Sequence, residues 1–236
     1  MKLKQIIIVA LSMLTAGVAS AASVAVANSS FETATGGGGG AGTGAWQSDP
    51  TNWVELGPTD SYIEGNGIAA ASTHLDGDFW GSVEGVNGAD FAGGVVGDVI
   101  TQDLGVAILS NTTYTIDFAQ ARRGDGTNAG QHTSGIMSIG LFTGAADITA
   151  VIAGSANFDS ADIAPNSSLA RTFSFTTGAV VPGGNVSVFV RGSDGNVSGV
   201  KLYFDDIKID ASPVPEPSST ALLGLGGFAL LLRRRK

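Results

Sequence analysis

The pair Asp205-Asp206 stands near one end of the central region of this chain, and another carboxylate, Glu32, lies near the other. Carboxylate oxygens suit a hard cation, and two acids about 5 to 9.5 Å apart suit acid–base work at a glycosidic bond. The segment Leu202-Tyr203-Phe204-Asp205-Asp206-Ile207-Lys208-Ile209 adds a constraint. Its apolar residues alternate as Leu202 and Phe204, then resume at Ile207 and Ile209 with opposite parity, so a regular strand cannot bury both pairs on one face. A bulge at Asp205-Asp206 is expected, and it turns at least one carboxylate out of the ladder. The alternative is that all three acids are solvated strand-end residues. Asp76-Gly77-Asp78 and Gly124-Asp125-Gly126 read as turns, because neither continues to the closing glutamate of a calcium loop.

Aromatic residues form a second set of candidates. Trp46, Trp53, Tyr62, Phe79 and Trp80 lie in polar, Gly-rich surroundings in the first third of the chain. An exposed ring can stack on the apolar face of a sugar while neighbouring polar groups read its hydroxyls. Trp46, Trp53 and Tyr62 are the ligand-binding candidates; Trp80, in the strand-like stretch 79–83, belongs to the core. Arg122 ends a strand and can hold an acidic group, the alternative being a pair with the chain's own acids.

Motifs for covalent or cofactor chemistry are absent. His74 and His132 are the only histidines, there are no cysteines, and no Gly-x-Ser-x-Gly elbow, phosphate loop, dinucleotide fingerprint or His-x-x-x-His pair occurs. The expectation is a protein that is not an enzyme.

The elements that must position these residues are strands. Short runs rich in β-branched and aromatic residues recur at 23–27, 68–72, 79–83, 99–104, 113–119, 135–142, 170–176, 186–191 and 200–209, separated by Gly, Asn, Asp and Ser. Tyr114 to Phe118 and Val186 to Val190 alternate with period two, and no long helical pattern lies between the runs. This predicts an all-β fold, an antiparallel β-sandwich with jelly-roll connections.

Both ends of the chain read as addresses. Lys2 and Lys4 precede the apolar segment 6–14, and Ala19-Ser20-Ala21 supplies the small residues a signal peptidase reads, with cleavage expected after Ala21. At the other end Pro215-Glu216-Pro217 precedes an apolar run to Leu232 and the cations Arg233, Arg234, Arg235 and Lys236. That run is short of the roughly 20 residues of a comfortable bilayer crossing, but it can serve as a temporary inner-membrane stop with its basic end in the cytoplasm. The expected organisation is a signal helix over 1–21, a sandwich domain over 22–212 and a sorting segment with a hydrophobic helix over 213–236. With the end cations set aside, only Arg122, Arg123, Arg171, Arg191, Lys201 and Lys208 remain against nearly all of the acids. So acidic a domain lacks the basic face that nucleic acid requires.

Two resemblances follow from these residues. The order Pro-Glu-Pro, apolar helix and basic cluster resembles the PEP-CTERM sorting signal of Gram-negative bacteria. That resemblance implies processing by an exosortase, display at the envelope surface or in the extracellular matrix, and a link to exopolysaccharide and biofilm. The segment Asn28-Ser29-Ser30-Phe31-Glu32, the tryptophan-containing loop, and Leu202 to Ile209 resemble, in this order, the galactose-binding-like jelly rolls of carbohydrate-binding modules. This second resemblance implies a non-catalytic protein that binds extracellular polysaccharide. It also implies a structural Ca²⁺ where the first and last strands meet, held by Glu32 and by Asp205 or Asp206, with backbone carbonyls completing the shell. Two alternatives stand beside it: a structural matrix protein without a specific ligand, and a jelly-roll enzyme, either a cyclase or glycan-active.

Overall fold

A computed structural model describes residues 20–31, 46–47, 51–56, 65–66, 89–92, 99–122, 134–143, 154–164, 167–192 and 201–214. The strands, in chain order, are β1 (Ala22–Val24), β2 (Trp46–Gln47), β3 (Val54–Leu56), β4 (Gly65–Asn66), β5 (Ala89–Ala92) and β6 (Val99–Ala107). They continue with β7 (Thr112–Arg122), β8 (Ile136–Thr143), β9 (Gly154–Asp159), β10 (Ser167–Thr176), β11 (Asn185–Gly192) and β12 (Lys201–Pro213). A single 3-10 turn, Ser160–Asp162, links β9 to β10. One sheet runs β1-β12-β7-β10 with β5 also paired to β12, and the second runs β3-β6-β11-β8-β9. The registered ladders described in both are antiparallel. The expected all-β sandwich of jelly-roll type is therefore the observed fold. The expected signal and C-terminal helices lie outside the described residues, among which no helix is long and apolar enough to cross a membrane.

Alternation along each strand builds the core. Tyr114, Ile116 and Phe118 of β7 and Leu202, Phe204, Ile207 and Ile209 of β12 pack with Ile100, Met137, Ile139, Leu141, Val186, Val188 and Val190 of the second sheet. Full burial stabilises each such side chain by roughly 1.5 to 3 kcal/mol. Leu202, Phe204, Ile207 and Ile209 all reach this one cluster despite their opposite parities. Asp206 makes that possible by adopting φ 52°, the left-handed conformation that an acidic residue tolerates better than a β-branched one. The bulge expected from the sequence is thus present, and it lies where the parity changes.

Strand β9 carries no β-branched residue in Gly-Ser-Ala-Asn-Phe-Asp, which is why composition does not reveal it. Its pairing with β8 and the ring of Phe158, which meets Phe118 edge-on at 5.0 Å, hold it in place. The expected strands at 68–72 and 79–83 lie outside the described residues. The chain divides into two units, one of which, Ala22–Ala211, is the sandwich. The other comprises Met1–Ala21 and Ser212–Lys236.

Candidate functional site

Strand β11 is the middle strand of the second sheet. Val186, Val188 and Val190 enter the inter-sheet core, so Ser187, Phe189 and Arg191 face away from it. Register sets their neighbours: Arg191 stands beside Val99 and Ser138, Phe189 beside Thr101 and Gly140, and Ser187 beside Asp103 and Phe142. On this outer face Val99, Phe142 and Phe189 form a second apolar cluster, each only 1% exposed. The two rings sit 5.9 Å apart with a 57° tilt. Glycine at position 140 is what lets Phe189 lie across β8. A Cβ there would come within 2.9 Å of the Phe189 ring and 2.4 Å of the Gly154 carbonyl oxygen, which cannot swing away as a side chain can.

Arg191 lies over this floor, its guanidinium carbon 5.8 Å from the Phe189 ring centre. It is half-buried, and among the described residues it has no hydrogen bond or ion pair. The nearby hydroxyls are occupied: Thr101 donates to the Val188 carbonyl at 2.8 Å, and Ser138 donates to the Asn157 side-chain oxygen. The face therefore combines buried aromatic surface with a permanently charged donor group. Such a surface can exclude water and hold an oxygen acceptor.

Of the residues expected from the sequence, Trp53 and Arg122 lie elsewhere. Trp53 is 4% exposed and belongs to the core, with its ring 5.1 Å from Phe31 and its indole N–H donating to the Asn28 carbonyl at 3.4 Å. Phe31 in turn meets Phe204 edge-on at 5.3 Å. The expectation of a sugar-stacking Trp53 is corrected accordingly, because these aromatic partners provide a better-packed place for the ring than solvent does. Arg122 is corrected as well: its guanidinium donates to the carbonyls of Ala161 at 3.3 Å and Ile163 at 3.1 Å, which fixes the 3-10 turn. Trp46 lies in β2, while Glu32, Tyr62, Ala19, Pro215, Glu216, Pro217, Arg233, Arg234 and Arg235 are outside the described residues. Ala21 is exposed immediately before β1.

Asp205 and Asp206 do meet the first segment of the domain, where the Ile207 N–H donates to the Ser29 carbonyl at 3.1 Å. Asp205 is 2% exposed, and one of its oxygens accepts the Asp206 N–H at 2.7 Å. Asp206 accepts from Lys208 Nζ at 2.6 Å through Oδ2, while its Oδ1 is buried with no hydrogen-bond partner. Among the described residues no group of three or more His, Cys, Asp or Glu is arranged to hold a metal.

Arg171 clamps the same 3-10 turn as Arg122. It donates to both Asp162 carboxylate oxygens, to the Asp159 carbonyl at 2.8 Å and to the Gln120 side-chain oxygen at 3.0 Å. The hydrogen bonds from Arg171, aided by its charge, hold the Asp162 carboxyl below its ordinary value of 3.8. A carboxyl depressed in the folded state contributes stability that is present above 3.8 and lost as pH falls through the lower folded value. The melting temperature of the wild-type protein should therefore fall more steeply on acidification below that point than that of Asp162→Asn. Parallel melting curves would show the clamp to be inert.

Fold and site together define a class: a jelly-roll sandwich whose second sheet carries a buried aromatic cluster beside a guanidinium that has no polar partner among the described residues. The chain belongs to the HpiC1 cyclase family, which its residues 22–210 match. Residues 213–236 match the PEP-CTERM protein-sorting motif, so the protein is exported, associated with the envelope and processed by exosortase. Among solved structures it is similar to a Stig cyclase, Fisc, from Fischerella sp. TAU in complex with (3Z)-3-(1-methyl-2-pyrrolidinylidene)-3H-indole. The identity there is 18% over 82% of this chain and 99% of that one, with a TM-score of 0.55. An apo cyclase from Fischerella sp. is 19% identical over 82% and 98% of the two chains, with a TM-score of 0.56. Carbohydrate-binding modules are also among the neighbours: the CBM22-1 xylan-binding domain of Paenibacillus barcinonensis Xyn10C is 10% identical over 83% and 97%, with a TM-score of 0.44. At these identities the two cyclase likenesses establish the fold alone. No curated protein matches the chain.

Membership of a cyclase family overturns the expectation of a protein that is not an enzyme. The reason is chemical. Closing a ring within one substrate by isomerisation calls for a shaped, dry surface rather than a nucleophile or cofactor, and shape leaves no spaced motif.

Proposed function

We propose that the exported sandwich is a cyclase that closes a ring in a small aromatic substrate held on the outer face of its second sheet. The family match over residues 22–210 carries this reading, and the outer-face cluster Val99, Phe142 and Phe189 under Arg191 supports it. In such a closure one carbon–carbon bond forms, one π bond is consumed and the mass of the substrate is unchanged. The chain contributes by folding the substrate so that its reacting ends meet, an effect worth up to roughly 7 to 11 kcal/mol in well-oriented systems. The buried apolar floor keeps water away from the reacting ends. The ligand named with the Fischerella protein is indole-derived, which makes indoles with unsaturated side chains the first substrates to try. Incubation of the purified protein with such a series, followed by chromatography with mass detection, should yield a product of equal mass and altered retention. Turnover of none of them, combined with selective binding on a glycan array, would replace this reading with carbohydrate recognition.

A structural calcium at the junction of the first segment and β12 belongs to the same proposal. The donors fit in kind: Asp206 Oδ1 is a buried carboxylate oxygen without a partner, and the Ser29 carbonyl is fixed alongside by Ile207. Asp206, Asp205 and Glu32 would hold the ion together with backbone carbonyls. The ion would neutralise the acids and brace the bulge, with no part in ring closure. The mature domain is taken to be 22–212.

A further inference from the structure

We propose that Arg191 selects the substrate of the outer face, and that the substrate it selects is an aromatic molecule bearing a carboxylate. This rests on the reading of that face as the cyclase site. Arg191 occupies the middle strand of a five-stranded sheet, and its row across the sheet consists of Leu56, Val99, Ser138 and Asn157, none of which is charged. The described acids on the same face are already engaged. Asp103 accepts from the Gly105 N–H at 2.8 Å and from Asn185 at 3.2 Å, and Asp159 accepts from the Ala161 N–H at 2.9 Å.

The contrast with the other described arginines is direct. Arg122 and Arg171 both end on carbonyl or carboxylate oxygens, whereas Arg191 has the Phe189 ring as its only described partner. A half-buried charge in a neutral setting is costly unless something completes it, and ring contact offsets that cost only in part. The guanidinium offers a fork of N–H donors that matches a carboxylate in bidentate geometry, and charge-assisted bonds of this kind are about twice as strong as bonds between neutral groups. Because the Thr101 and Ser138 hydroxyls are already donating, the fork is the charged donor group that the described residues of this part of the face leave for a ligand. Phe189, propped across Gly140, holds the guanidinium at a fixed height above the sheet.

The test uses three ligands that share one ring: 3-methylindole, 4-(indol-3-yl)butan-2-one and indole-3-butanoate, each titrated calorimetrically into the purified full chain. Indole-3-butanoate should bind about tenfold or more tighter than 3-methylindole, with the ketone between them. In Arg191→Met that ordering should collapse, and in Arg191→Lys, which keeps the charge but loses the fork, part of it should survive. Thermal melting of each variant separates loss of recognition from loss of folding, and a misfolded Arg191→Met leaves the Arg191→Lys comparison to decide. Ring binding without head-group preference in the wild type, or a preference untouched in both variants, would overturn the role of Arg191 and leave the cyclase reading standing. Failure of all three ligands to bind, with no turnover of any indole, would overturn both.

Discussion

Replacement of Gln102 by leucine should lower the unfolding free energy by about 1.5 to 4.5 kcal/mol, since it removes three hydrogen bonds to the backbone of Ala27 and Asn52, each worth roughly 0.5 to 1.5 kcal/mol net. Gln102 is 4% exposed and lies on β6, yet its amide behaves like a strand edge toward another part of the chain. Its Oε1 accepts the Ala27 N–H at 2.8 Å, and its Nε2 donates to the Ala27 carbonyl at 2.8 Å and to the Asn52 carbonyl at 3.1 Å. One side chain thus ties the segment after β1, and the turn before β3, to the second sheet. Leucine matches the amide in volume but satisfies none of the three groups. Gln102→Glu separates hydrogen bonding from packing, because a carboxylate still accepts from Ala27 but meets two carbonyl oxygens with no proton to offer. That variant should be less stable at pH 7 than at pH 4, where the protonated acid regains one donor. Urea midpoints for the three proteins provide the measurement, and a loss below about 1 kcal/mol in Gln102→Leu would mean that water replaces the amide without penalty.

Calcium should raise the melting temperature by roughly 5 to 11 °C when present at about a hundred times its dissociation constant, equivalent to about 2.7 kcal/mol. EDTA should reverse the shift. The expectation follows from the orphaned Asp206 Oδ1 at the bulge, and Asp206→Asn is the variant that isolates it. Asparagine tolerates the left-handed backbone at that position, so the substitution removes charge without imposing strain. Its melting temperature should therefore be nearly indifferent to calcium. If the wild-type protein melts at the same temperature in EDTA and in calcium chloride, the ion has no structural role here.

What was legible beforehand follows from how local each signal is. Alternation in Tyr114 to Phe118 and Val186 to Val190 marks strands within a few residues, and the parity change between Phe204 and Ile207 locates a bulge without any knowledge of partners. The topogenic ends are equally local, being charge, apolar length and proline within one short segment. Strand β9 escaped because pairing to β8, rather than composition, makes it a strand.

The amino-acid sequence by itself determined an exported all-β sandwich, its bulged last strand and its sorting tail, since each depends on residues adjacent in the chain. Tertiary structure alone decided that Trp53 is core, that Arg122 braces a turn, that Gln102 bridges distant segments, and that Phe142, Phe189 and Arg191 share one outer face. The physical reason is that period-two alternation separates two faces of a strand but says nothing about which strands will stand side by side. In the order β3-β6-β11-β8-β9 the Phe189 and Arg191 side chains of β11, the Phe142 ring of β8 and the Gly140 that admits Phe189 become neighbours only through pairing across the sheet.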